Sequence, residues 1–253
     1  MTRLFFAHAN GFTPGAYECL LRPLRSRFEV EAPALKPLRT GRAPTGAWQE
    51  IASDLGELVD ARPGPTIGVG HSLGAVALLM AASERPERFE RLVLIDPPAL
   101  PAWAALLLRH APASVRRKGP MASAALRRVT HWPTLDAAFT QERARRWYAR
   151  LSDEVLADVL HHGLQAADGG WQLRFRTEWE ASLYETPESL WPLLRRPLPP
   201  ITLLRGQSSA VFKASDASRW QALRPHDRVI EVADSGHLLP LEQPQQVLRA
   251  LLA

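Results

Sequence analysis

The chain has 253 residues, a formal charge of +5, 46% apolar residues and 22 prolines. That composition supports one large buried core and excludes a collagen-like repeat or a wholly disordered chain. Acid is interspersed with base over most of its length, which argues against a nucleic-acid-binding stripe, and the single cysteine, Cys19, excludes an internal disulfide and leans towards a reducing compartment.

In chain order, the opening "MTRLFFAHANGF" holds too short an apolar run for a signal peptide. No stretch approaches the roughly 18 uninterrupted apolar residues of a membrane span, so a soluble, cytoplasmic protein is expected. Short apolar runs at 4–9, 28–33, 66–71, 91–96, 201–206 and 228–233 read as strands, most of them buried and parallel. Between them lie helical patterns at 14–27, 45–61, 73–84, 213–223 and 243–252, with Cys19 expected buried in the first. The alternation predicts an α/β fold: a mostly parallel, doubly wound sheet of about six strands with helices on both faces.

The rhythm breaks between the fourth and fifth strands. A structureless loop of about 100 residues is improbable inside a compact domain, so 97–199 is expected to form a helical cap inserted into a core made of 1–96 and 200–253. Amphipathic helices are expected over 135–151 and 152–164. Six of the eight tryptophans fall in this insertion, among them Trp103, Trp132, Trp147, Trp171 and Trp179. They read either as cap core or as the wall of an apolar pocket, with Trp103 and Trp147 the candidates for substrate contact. From Pro97 to Leu135 there are six bases (Arg109, Arg116, Arg117, Lys118, Arg127, Arg128) and no acid. That run reads as a solvated helix surface or as a patch attracting anionic substrates or lipid head groups; no membrane span is involved.

Three segments carry chemistry. Gly70-His71-Ser72-Leu73-Gly74 follows a strand and opens a helix, the context of a nucleophile elbow, with Ser72 projecting at the sheet edge. "DSGHLLPLEQP" at 234–244 places His237 in a glycine-containing loop after the last strand; a serine hydroxyl needs such a base to attack at neutral pH. "AHANGFTPGAY" at 7–17 follows the first strand, where a backbone N–H of Asn10 or Phe12 can join that of Leu73 in stabilising an oxyanion. His71 is expected to point away from the elbow as a packing residue, and His8 to tie the first loop together. The remaining histidines have no ligand-like spacing, so no metal site is expected.

With "AHANGF", "GHSLG", "RLVLIDPP", "LLRG" and "DSGHLLPLEQP" in this order, the chain resembles the α/β-hydrolase superfamily, in its serine-nucleophile, capped, esterase/lipase-like branch. The resemblance implies a cofactor-free Ser–His–acid hydrolase acting on a small-molecule acyl substrate. It also implies that two N-terminal strands common in the family are missing here. The departure is the acid. Its usual place after "LLRG" is held by Ser209 and Ala210. Either Asp96, after the fourth strand, serves instead; or the acid is absent and the protein is impaired or merely binds ligand; or Asp216 reaches back, or Ser209 with a water orients His237. Asp234 lies too close to His237 in sequence to orient it. The expected substrate is a small or medium hydrophobic ester, with C–C, lactone or amide cleavage as alternatives on the same machinery.

Overall fold

The computed structural model describes residues 1–44 and 48–252. In chain order its strands are β1 (Thr2–Ala7), β2 (Phe28–Glu31), β3 (Thr66–His71), β4 (Phe89–Ile95), β5 (His131–Trp132), β6 (Leu164–Ala167), β7 (Gly170–Leu173), β8 (Ile201–Gly206) and β9 (Arg228–Val232). Six of them form one parallel sheet in the order β2-β1-β3-β4-β8-β9. All six residues of β3 are buried, while the edge strand β2 has none fully buried. A strand covered on both faces must be apolar throughout, and "TIGVGH" has no charged residue.

Helices cover both faces of the sheet. Trp48–Asp60, Leu73–Glu84 and Ala214–Leu223 pack into one apolar core; Glu18–Leu24 and Pro244–Leu252 pack into the other. The helix after β3 is buried from Leu73 to Ala82, as a helix apolar all round must be. The helix expected over 14–27 is shorter. A 3-10 turn at Pro14–Tyr17 leads into Glu18–Leu24, whose last turn holds Pro23, a residue with no N–H to continue the ladder. The start of the helix expected over 45–61 lies outside the described residues, which pick it up at Trp48. Cys19 is half-buried rather than buried; its Sγ lies against the Pro240 carbonyl at 3.8 Å, and burial raises its pKa to about 11.

Between β4 and β8 the chain is helical at Ala102–His110, Ala113–Arg116, Pro120–Leu126, Leu135–Arg143, Asp153–Gly163 and Thr177–Glu185. It also holds a small antiparallel sheet, β5-β7-β6, absent from the sequence reading. Those strands are two to four residues long and do not alternate, so no period marks them. Residues of this segment enter both main cores, with Tyr148, Leu156 and Leu160 in one and Phe175, Trp179 and Leu183 in the other.

The register of the sheet determines where the loops meet. His71 pairs with Ile95, Ile95 with Leu204, and Gly206 with Val232. The residues that follow β3, β4, β8 and β9 therefore emerge at one edge, the carboxyl ends where open α/β sheets build their sites.

Candidate active site

Ser72 follows β3 directly with φ 54° and ψ −120°, a strained backbone for a residue with a Cβ. The strain is held by its surroundings: Ser72 N–H donates to the Ile95 carbonyl at 2.9 Å, and two close approaches need glycine. A Cβ on Gly70 would lie 2.7 Å from the Ala75 backbone, and one on Gly74 would strike the Ala7 carbonyl. The Leu73 N–H opens the next helix, where the first donors have no partner within the helix.

His237 Nε2 accepts from Ser72 Oγ at 3.0 Å, and its Nδ1–H donates to Asp96 Oδ2 at 2.7 Å. Asp96 is fully buried, and its backbone too is left-handed (φ 45°). Its Oδ1 accepts from the Gly206 N–H at 3.0 Å and its Oδ2 from Ser209 Oγ at 2.5 Å. A buried carboxylate requires such donors. Ser209, at the usual acid position, thus holds Asp96 rather than His237. Ala210 is exposed. Asp216 is turned elsewhere, its Oδ2 accepting from the Lys213 N–H at the start of a helix. Asp234, also left-handed at φ 53°, takes part in its loop through a backbone N–H to Gln207.

His71 does more than pack. It is fully buried, and its Nε2–H donates to the His237 carbonyl at 2.8 Å. Its Nδ1 then accepts from the Tyr17 hydroxyl at 2.7 Å, and the Tyr17 oxygen accepts from the Ala9 N–H at 3.2 Å. Burial, reinforced by neighbouring His237, holds the His71 pKa well below the usual histidine range, so the ring is neutral as this pattern requires. Burial likewise raises the Tyr17 pKa. One hydrogen-bonded chain therefore joins the loop after β1 to the backbone of His237. No local motif announces it, since its contacts span 54 and 166 positions.

The loop after β1 is anchored at several points. His8 donates from Nδ1 to the Ala9 carbonyl at 2.8 Å and accepts the Leu35 N–H at Nε2, and burial lowers its pKa to about 4. Asn10 Nδ2 donates to the Glu180 carbonyl at 2.9 Å. Gly11 has φ 76°, and a Cβ there would lie 2.8 Å from the Glu180 carboxyl carbon. The Phe12 N–H donates back to the Ala9 carbonyl at 3.3 Å.

A cavity of about 210 Å³ lies over this loop, lined by Asn10 and Phe12 and, from the 97–199 segment, by Arg128, Arg145, Trp147 and Glu180 among others. The Trp147 ring stands 5.8 Å from that of His237, centroid to centroid. Trp103 does not join it. It is 68% exposed on the outer side of its helix, because Ala105 rather than Trp103 faces inward. Trp132 and Trp179 are buried core. Among the described residues no group of His, Cys, Asp or Glu could hold a metal ion, and no helix is long and apolar enough to cross a membrane.

The profile of the alpha/beta hydrolase family matches residues 4–250. The chain belongs to the alpha/beta hydrolase family. Esterase Rv0045c of Mycobacterium tuberculosis is 24% identical over 97% of this chain and 80% of its own length. A crystal structure of that esterase superposes with a TM-score of 0.73 at 22% identity, covering all of this chain and 83% of the esterase. The crystal structure of an E-2-(acetamidomethylene)succinate hydrolase superposes with a TM-score of 0.81 at 24% identity, over 99% of this chain and 89% of the other. A thioesterase domain from the curacin biosynthetic pathway superposes at 0.73 with 18% identity, over all of this chain and 91% of the domain. These likenesses extend along the hydrolase fold from end to end.

Proposed function

We propose that this alpha/beta hydrolase cleaves carboxylic esters through an acyl-enzyme on Ser72. His237 is the base and Asp96 the acid that orients it. The observation that carries this reading is the continuous line from Asp96 Oδ2 to His237 Nδ1 at 2.7 Å and from His237 Nε2 to Ser72 Oγ at 3.0 Å. It weighs against an impaired or purely ligand-binding protein, because the role left open at Ser209–Ala210 is filled from β4.

In the reaction, Ser72 Oγ attacks the acyl carbon as its proton passes to His237 Nε2. The Asp96 carboxylate keeps Nδ1 protonated and stabilises the imidazolium. The tetrahedral oxyanion is met by the Leu73 N–H and by the Asn10 N–H, since the Phe12 N–H is already engaged with Ala9. The ester C–O bond then breaks and the leaving oxygen takes the proton from Nε2. Water repeats the sequence on the acyl-enzyme: it gives a proton to Nε2, and collapse returns that proton to Ser72 and frees the acid. Residues 97–199 act as the cap, closing the site with the Trp147 side of the cavity.

A fluorophosphonate probe tests this. Ser72 is expected to be the labelled residue, and Ser72→Ala to abolish labelling together with turnover of p-nitrophenyl acetate. Absence of labelling at every pH from 6 to 9 would contradict the reading.

A further inference from the structure

Six bases lie in the acid-free run from Pro97 to Leu135, and one of them behaves differently. Arg109, Arg117, Lys118 and Arg127 are exposed, and Arg116 is half-buried. Arg128 turns inward, its side chain only 13% exposed, and Nη1 meets Glu180 Oε2 at 2.5 Å. Burial works against its charge, but Glu180 beside it, with Tyr148 behind, keeps its pKa raised. A second guanidinium, Arg145, reaches the same cavity. Its Nη1 donates to both oxygens of Glu142 at 3.1 and 2.9 Å. Arg145 is 40% exposed and Glu142 only 3%, so the carboxylate lies behind the arginine and the guanidinium faces the opening.

Arg145 is thus fixed from behind by Glu142, while Arg128 is held by Glu180, itself on the cavity wall; each carboxylate engages Nη1 alone. An arginine carries five N–H donors in a planar fork, most of which remain for a ligand. The rest of the wall is mainly aromatic and apolar, including Phe12, Trp147 and Tyr184. Stability does not require such an arrangement, because buried ion pairs seldom outperform apolar residues of similar volume. Of the charged side chains on this wall, two are cationic and one anionic. The fork geometry matches a carboxylate.

Resting on the reading of Ser72 as nucleophile, we infer that this cavity selects acyl substrates bearing a free carboxylate, which Arg128 and Arg145 receive while the ester lies at Ser72. The cavity, about 210 Å³, has room for a short acyl arm. In place of the hydrophobic ester expected from the tryptophans, the inferred substrate is a short hemi-ester with an anionic end.

The experiment compares p-nitrophenyl hydrogen glutarate with p-nitrophenyl valerate, which has the same five-carbon chain without the terminal carboxylate. After subtraction of the uncatalysed rate, the glutarate is expected to have the higher kcat/KM by about tenfold or more. That preference is expected to shrink with added salt. Arg145→Gln, at a half-exposed position, should lower the glutarate-to-valerate ratio roughly tenfold, mainly through KM. The paired change Arg128→Met with Glu180→Gln removes both buried charges together and should lower the ratio as well. Arg117→Gln, an exposed base of the same run, should leave the ratio where it was. Equal or better turnover of valerate by the parent, or a ratio unmoved by Arg145→Gln, overturns the inference and leaves Ser72 standing. Failure of both esters together with absent fluorophosphonate labelling overturns the Ser72 reading, and this inference with it.

Discussion

The two sides of the candidate site are built from different materials. On the sheet side, Ser72, Asp96 and His237 sit on turns at strand ends, held by backbone hydrogen bonds and buried donors. On the side of residues 97–199, the cavity wall is held by ion pairs between long side chains, Arg128 with Glu180 and Arg145 with Glu142. The first arrangement is positioned by the register of four strands and tolerates little change. The second depends on a few side chains and can be altered while the sheet stands. On the proposed reading, that difference separates a rigid half for bond cleavage from an adaptable half for selection.

The largest test of the contrast removes the proposed nucleophile. Ser72→Ala should reduce kcat by about 10⁴ or more while leaving the folded state intact, measured with p-nitrophenyl acetate and circular dichroism. Retained turnover would move the chemistry off the sheet edge.

Acid should weaken the sheet side first. His8 has a folded pKa of about 4 against an ordinary 6.5. The folded state therefore binds fewer protons than the unfolded chain below pH 6.5. Its contribution is complete above pH 6.5 and is lost as the pH falls towards 4, on the order of 3 kcal/mol. His71, lowered for the same reason, adds in the same direction. Urea denaturation from pH 7.5 to 4 should record this loss. His8→Gln, less stable at neutral pH, should flatten the profile.

Smaller effects separate positioning from chemistry. Tyr17→Phe removes the hydroxyl between Ala9 and His71, at a cost of about 1–3 kcal/mol, and should lower kcat more than it raises KM. An equal loss in stability with kcat unchanged would assign Tyr17 to packing alone. Ser209→Ala deletes one of three donors to Asp96, worth about 1.5–3 kcal/mol as a bond to a charged group. Its activity should fall by less than that of any change to Asp96 itself, and the pH–rate profile should shift.

Much of the sheet was legible because its strands are short, apolar and separated by helical patterns. The elbow was legible because Gly70 and Gly74 sit at close backbone approaches. Ser209 was misleading in isolation. Read locally it is an empty acid position; its bond to Asp96 spans 113 residues. His71 and Tyr17 were obscured in the same way, by partners far along the chain. The small sheet β5-β7-β6 left no period to detect, and Trp103 shows that a large aromatic residue in an insertion need not face a pocket. Arg128 could be singled out from its exposed neighbours only once Glu180 was seen beside it.

The central claim is that Asp96 has taken the role the family assigns to the loop after β8. The most direct measurement is kcat for Asp96→Asn on p-nitrophenyl acetate, with Ala210→Asp made alongside. Replacing the carboxylate by an amide leaves the shape but presents the wrong tautomer to His237, so kcat should drop by about 10⁴. Ala210→Asp in the parent should bring no gain. A drop of less than tenfold in Asp96→Asn, or a marked gain in Ala210→Asp, would contradict the assignment.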